Sequence, residues 1–206
     1  MTPRRGIFIT LEGPEGCGKT TQLDILAQWL RDRGLDTLTT IEPGGEPVAE
    51  RIRHMLLHDD DPLMAKTELF LYLAARAQHV ERVIEPALQA GRIVLCARFS
   101  DSTLAYQGYA RGLDLGFIRH ANLFATGGIE PDLTLVIDVP VEVGLGRQMD
   151  RNRMEAESLQ FHQKVREGFL KTAEESPGRV KLIDGTGDVE TVSRRIISVV
   201  EGCVGK

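Results

Sequence analysis

Gly13-Pro14-Glu15-Gly16-Cys17-Gly18-Lys19-Thr20 is the stretch around which the rest of the chain can be read. An apolar run, 7–11, leads into it and an amphipathic run, 22–30, follows. The order is strand, glycine-rich loop, helix. In that setting the pattern G-x-x-x-x-G-K-[ST] is a phosphate-binding P-loop. Its glycines let the backbone turn tightly and bring N–H groups against phosphate oxygens. The following helix aims its positive end at the same anion. Lys19 supplies a mobile charge for the outer phosphates, and the Thr20 hydroxyl can ligate Mg²⁺. A turn that merely caps a helix is the plainer alternative, but every fixed position matches and both flanks are right. The loop predicts a nucleoside triphosphate, not what is done with it.

The 206 residues suit one α/β domain with a sizeable core. A hydrophobic content of 42% and a charged content of 27% are ordinary for a globular protein. No apolar run reaches the length of a membrane span. The basic start, 1–5, runs directly into a strand and lacks the pattern of a secretion signal. A net charge of −5 argues against a broad nucleic-acid-binding surface. Three scattered cysteines, Cys17, Cys96 and Cys203, suit a reducing cytoplasm. Cys17 lies inside the P-loop, where a small packing residue is the simplest reading.

Strands are expected at 6–12, 36–41, 92–96, 132–139 and 180–183. Helices are expected at 19–33, 48–58, 65–88, 102–107, 115–125, 141–151, 158–174 and 189–203. Short apolar strands alternating with helices imply a five-stranded parallel sheet covered on both faces. Ligands of such sheets bind beyond the carboxyl ends of the strands. The second strand delivers Glu42-Pro43-Gly44-Gly45, a rigid loop that begins with a carboxylate. On the long helix, Leu69, Leu73, Ala77, Val80, Ile84 and Leu88 mark a core face. Tyr72 and Arg76, four apart, form another stripe suited to a base and an anion. The third strand is followed by Ala97, at a place where many P-loop enzymes have an acid, and then by Arg98. Ser102, Thr103, Tyr106 and Gln107 then make a hydroxyl-rich surface fit for a base edge and sugar.

Asp138 ends the fourth strand, either as a metal-site acid or, the reading favoured here, ordering the next turn. Arg147 and Arg151 share a helix face, while Arg153 points roughly opposite at about 100° per residue. The segment near 147–157 is therefore either a lid closing over phosphates or a solvated face with Asp150 and Glu155 as partners. His54 and His58 are i, i+4, but Met55 stands where a zinc-protease motif needs Glu.

Taken in order, these stretches resemble thymidylate kinase of the bacterial type, with lid arginines. The matching runs are 11–22, Glu42-Pro43-Gly44-Gly45, Tyr72-Leu73-Ala74-Ala75-Arg76, 98–108, and Asp138-Val139-Pro140 running on to Arg147, Arg151 and Arg153. The resemblance covers nearly the whole chain as a single P-loop kinase domain. It implies phosphoryl transfer from ATP to dTMP with Mg²⁺, and a homodimer. Gly13, Pro14, Glu15, Gly16, Cys17, Gly18, Lys19, Thr20 and Thr21 would bind ATP. Glu15 would also meet the deoxyribose 3′-hydroxyl and, with Thr20, serve the metal. Glu42, Pro43 and Gln107 fall on the dTMP side. Tyr72 would stack on thymine, where relatives usually have Phe, and Arg76 would reach its edge. Arg98 would hold the dTMP phosphate, Ser102 and Thr103 would read the base, and Tyr106 would disfavour a ribose. Arg151 and Arg153 would carry charge from the lid to the transferring phosphoryl.

Two departures stand out. The family normally has Asp or Glu where Ala97 stands, and Arg where Ile41 stands. Losing the carboxylate at Ala97 bears on the rate more than on binding. Gly16 stands where some relatives carry an arginine, so the lid must supply that cation. The alternatives are a kinase for another nucleoside monophosphate, or a catalytically silent nucleotide-binding protein of the same fold.

Overall fold

The computed structural model describes residues 5–58, 61–147 and 152–205. Five strands, β1 (Phe8–Glu12), β2 (Thr37–Ile41), β3 (Ile93–Ala97), β4 (Leu133–Asp138) and β5 (Val180–Asp184), form one sheet. The order is β2-β3-β1-β4-β5 and every pairing is parallel. The central strand β1 pairs Leu11 with Ala97 of β3 and Glu12 with Val136 of β4. The loops after β1 and β3 therefore leave the sheet side by side.

Alternation of side chains across the sheet decides what covers each face. Ile9, Leu11, Leu135 and Ile137 point to the face covered by α1 (Lys19–Arg31) and α9 (Val189–Val204). Phe8, Val94 and Cys96 point to the other face and pack on Val80, Ile84 and Leu88. Val136 packs there with Phe161, Val165 and Phe169 of α8 (Leu159–Glu175). The buried strands read as continuous apolar runs because both faces are covered. Helix starts follow local capping. Asp114, Ser158 and Asp188 accept the N–H of Phe117, Phe161 and Thr191 at the starts of α6 (Leu115–Ala125), α8 and α9.

The expected helix over 65–88 is continuous but not uniform. It runs as α3 (Ala65–His79), a π-helical turn over Val80–Ile84, and α4 (Glu85–Gln89). Pro86 has no N–H to give the previous turn, so the ladder widens ahead of it. The segment near 102–107 likewise splits, into α5 (Ser100–Thr103) and a π-helical stretch over Leu104–Ala110. The helix expected over 141–151 stops early. Its described part, α7 (Val141–Leu145), ends at Gly146, and Arg147 is in a turn. Two glycines in six residues make a poor helix. Among the described residues no helix is long and apolar enough to cross a membrane.

The short α7 has a positional role. A Cβ at Gly144 would stand 2.2 Å from the Glu15 carbonyl oxygen, and one at Gly16 would stand 1.9 Å from the Gly144 carbonyl oxygen. The P-loop backbone rests directly on that helix. Gly144→Ala adds a methyl that neither backbone can avoid, so the phosphate loop must shift. Overpacking of this kind costs about 1–3 kcal/mol, so affinity for a nucleoside triphosphate is expected to fall roughly tenfold. Calorimetric titration with MgATP checks it; unchanged affinity would mean that the loop does not depend on this contact.

Candidate active site

A cavity of about 730 Å³ opens at the carboxyl ends of the strands. One wall is the P-loop. Gly18, in a left-handed conformation (φ 94°), precedes α1, whose first turn carries no acidic residue and no side-chain cap. The positive end of α1 is thus left to a ligand. Lys19 Nζ crosses the loop and donates to the carbonyl oxygens of Gly13 and Pro14, both at 2.9 Å. Cys17 is buried in the core beneath α1, with its sulfur 3.4 Å from Lys19 Nζ. Thr20 and Thr21 are exposed and line the cavity.

The facing wall comes from β3 and the turn after it. Arg98 Nη2 donates to Glu15 Oε2 at 2.6 Å, and Nη1 donates to the Tyr106 hydroxyl at 3.0 Å. That hydroxyl donates to Glu15 Oε1 at 2.9 Å. The P-loop and the opposite wall are thus joined through one carboxylate. Burial pushes Glu15 up, but Arg98 and then Lys19 outweigh it, and its pKa lies below the usual carboxylate range. Burial raises the Tyr106 phenol well above its ordinary value, so it stays a donor.

Polar networks extend from this wall into the interior. Arg76 donates Nε to Glu42 Oε2 at 2.8 Å, and Nη1 to Thr103 Oγ1 at 2.8 Å and Asn122 Oδ1 at 2.6 Å. His79 Nδ1–H donates to Glu42 Oε1 at 3.0 Å, leaving Nε2 to accept from Thr40 at 2.7 Å. Both Glu42 oxygens are thereby committed to Arg76 and His79, and Glu42, Pro43 and Arg76 all line the cavity. Gln107 and Tyr72 line the cavity. Gln107 Nε2 donates to Glu68 Oε1 at 2.8 Å. The Tyr72 phenol is pushed up to about 12, first by burial and then by Glu68. Ser102 Oγ donates to Glu12 Oε2 at 2.6 Å. Burial and then Asp101 push the Glu12 carboxyl up to about 7. Ala97 also lines the cavity and presents no carboxylate there.

The lid arginines need correction. Arg151 lies outside the described residues. Arg153, expected over the phosphates, is not among the residues lining the cavity. Its Nε donates to the Leu56 carbonyl at 2.7 Å and its Nη1 pairs with Glu68 Oε2 at 2.8 Å. Glu68 is fully buried and also takes both forks of Arg111. A buried carboxylate is the strongest attractor within reach of Arg153. Arg147 is the described arginine of this segment that lines the cavity, and its Nη1 donates to the Gly16 carbonyl at 3.1 Å. Asp138 neither lines the cavity nor orders the next turn through its carboxylate, which Arg166 of α8 holds at 2.6 and 2.8 Å. Among the described residues no group of three or more His, Cys, Asp and Glu could hold a metal ion.

Sequence reading missed the wall beside α1. Gly185, Gly187, Asp188, Val189 and Val192 line it, tied to α1 by Gln22 Nε2 donating to the Val189 carbonyl at 3.0 Å. Its signal was the glycine-bearing turn that leaves β5, the same kind of strand end that drew attention elsewhere. Arg53 on α2 (Pro47–His58), donating to the Pro43 carbonyl at 2.7 Å, was also missed.

The chain is similar to known proteins over almost all of its length. The thymidylate kinase family model matches residues 11–196. A thymidylate kinase of Geotalea uraniireducens is 50% identical over 205 residues, covering 95% of this chain and 96% of the relative. One from a Synechococcus strain is 52% identical over 195 residues, covering 95% and 94%. The crystal structure of thymidylate kinase from Ehrlichia chaffeensis superposes with a TM-score of 0.81 at 32% identity, covering 95% of this chain and 99% of that one. A family model over most of the chain and relatives of about half identity over nearly all of it place the sheet and its P-loop sequence in an established group: this chain belongs to the thymidylate kinase family.

Proposed function

We propose that the protein transfers the γ-phosphoryl group of ATP to dTMP, giving ADP and dTDP. The observation that carries this reading, beside family membership, is the Arg98–Glu15 contact. It sets an anion-binding guanidinium opposite the P-loop within one cavity. Two anionic nucleotides can then meet end to end. ATP lies along the P-loop, its nucleoside toward Val189 and Val192, its outer phosphates on Lys19 and the first amides of α1. The monophosphate lies with its phosphate on Arg98, its base over Tyr72 and toward Arg76, Ser102 and Thr103, and its sugar against Tyr106 and Glu15.

A phosphate oxygen of dTMP attacks the γ-phosphorus in line, and the bond to the ADP oxygen breaks. The protein supplies alignment and charge neutralisation rather than covalent chemistry. Lys19, Arg98 and a lid arginine face the equatorial oxygens. We assign that last role to Arg147, because it already spans from the lid to the P-loop. Arg153 instead anchors the lid to Glu68 and α2. Thr20, an exposed hydroxyl beside the phosphate loop, and Glu15, an ionised carboxylate, are hard oxygen donors that fit Mg²⁺. Thr20 would hold the ion, and Glu15, whose oxygens are engaged by Arg98 and Tyr106, would orient its water. The ion, when bound, supplies further charge neutralisation on the phosphates. Closure of the segment 147–157 excludes water, the competing acceptor.

We also read the protein as a cytoplasmic homodimer. Its cysteines are free thiols, which suits a reducing compartment. Phe70 on α3 and Phe117, Leu123 and Phe124 on α6 are exposed, Phe124 to 91%, and the rings of Phe70 and Phe117 meet edge to face at 6.4 Å. An exposed apolar patch of that kind fits a second copy of the chain.

Three outcomes are expected. In a coupled ADP-release assay dTMP is the preferred acceptor over dCMP, UMP and dGMP; a faster rate with any of these sinks the thymine reading. Arg147→Ala lowers kcat by about 10³-fold or more while the KM for dTMP moves little. Arg153→Ala lowers kcat less, and the reverse order would return the phosphoryl role to Arg153. Sedimentation of the native protein at micromolar concentration gives a dimer, and Phe124→Glu shifts it toward monomer; a monomeric native protein rules the interface out.

A further inference from the structure

Arg98 is, among the described residues, the one non-glycine with a left-handed backbone, at φ 67°. Such a conformation is unfavourable for a residue with a Cβ and persists where its surroundings over-determine it. Here the peptide groups on both sides of Arg98 are fixed by consecutive residues of β1. The Arg98 N–H donates to the Leu11 carbonyl at 3.0 Å. The Phe99 N–H, on the next peptide, donates to Glu12 Oε1 at 2.7 Å. The same carboxylate accepts the Ser102 N–H at 3.3 Å on Oε1 and the Ser102 hydroxyl at 2.6 Å on Oε2. Glu12 is completely buried and does not line the cavity. At the end of β3 the residue that does line it, Ala97, offers no acid. Glu12 therefore orders the turn from behind.

We propose that Glu12 is a positioning residue for phosphoryl transfer: it imposes the left-handed turn at Arg98 and so aims the guanidinium at the acceptor phosphate. This rests on Arg98 as the residue that holds that phosphate. Two features separate the role from ordinary core packing. Every hydrogen bond that Glu12 accepts through its side chain comes from the 98–102 turn, and none comes from the P-loop. Loss of Glu12 should therefore touch the acceptor side of the cavity and spare ATP. What the turn needs, moreover, is acceptor geometry. A glutamine keeps one oxygen for the Phe99 and Ser102 amides, and its amide N–H can donate to the Ser102 hydroxyl.

The test is steady-state kinetics of the full chain with dTMP and ATP varied independently. Arg98→Ala is expected to raise the KM for dTMP by about tenfold or more, the scale of one lost charge-assisted contact. Glu12→Ala should reproduce most of that rise while the KM for ATP stays within about twofold. Glu12→Gln should restore values near the native ones. The double variant should be no worse than Arg98→Ala alone, because Glu12 acts through that side chain. An unmoved KM for dTMP in Arg98→Ala overturns the role of Arg98, and the inference falls with it. If Arg98→Ala is impaired, any of three results overturns the Glu12 proposal alone. These are a native KM for dTMP in Glu12→Ala, a parallel rise for both substrates, and a Glu12→Gln protein as impaired as Glu12→Ala. Should Glu12→Ala not fold, Glu12→Asp replaces it. Its carboxylate is one methylene short of both amides, so the same selective rise is expected, and a native KM for dTMP overturns the proposal.

Discussion

One ion pair joins the two halves of the cavity. Arg98 and Glu15 meet at 2.6 Å across the loops that leave β3 and β1, and Tyr106 bonds to both. Burying two charges is costly unless they are paired and their remaining hydrogen-bonding capacity is met. Here each Glu15 oxygen has its own donor, and the pair holds both members ionised: Glu15 is lowered and Arg98 raised despite burial. The arrangement depends on parallel pairing of β1 with β3, because only neighbouring strands running the same way open their loops at the same edge. The guanidinium at this edge of the cavity is held in place by a carboxylate of the P-loop itself.

The same device recurs one layer deeper. Glu42 holds Arg76, Glu68 holds Arg111 and Arg153, and Asp101 holds Arg179, each carboxylate being nearly or wholly buried. Removing one partner of such a pair costs about 3–5 kcal/mol, so these contacts specify geometry strongly even where they add little net stability. They are also directional. The Asp101–Arg179 pair anchors α5 to the sheet through Thr134, to which Thr10 is bonded in turn. Arg76 reaches Thr103 on the same helix. Ser102 and Thr103 are consequently presented to the cavity from a helix tied down on two sides.

Legibility followed locality. Gly13 to Thr20 declared a strand, a loop and a helix because glycine, lysine and threonine at that spacing have few other uses. Tyr72 and Arg76 were placed on one stripe by helical period alone, and both line the cavity. The partner of Arg76 was not legible, since Glu42 and Asn122 come from 34 and 46 residues away. The pairing of Arg153 with Glu68 was not legible for the same reason: the two are far apart in the chain, and no local pattern encodes their meeting. The wall at Val189 and Val192 was not legible, because apolar side chains on a helix give no local sign of a cavity. Val192 does pack in the core, and the same face continues into the cavity beside α1.

Gly16 shows how a single backbone contact distributes charge across the site. It is left-handed at φ 67°, and its Cα faces the Gly144 carbonyl so closely that a Cβ would lie 1.9 Å from that oxygen. No side chain fits there, so an arginine cannot be carried at this position of the loop without moving α7. A phosphoryl transfer site still needs positive charge on that flank. Arg147, three residues beyond Gly144 and just past the end of α7, bonds the Gly16 carbonyl at 3.1 Å. The same helix that excludes a side chain from the loop therefore delivers a guanidinium to it from outside. A cation placed there comes from the turn after α7 rather than from the cradle itself, so the loop keeps its tight backbone and the charge is still at hand.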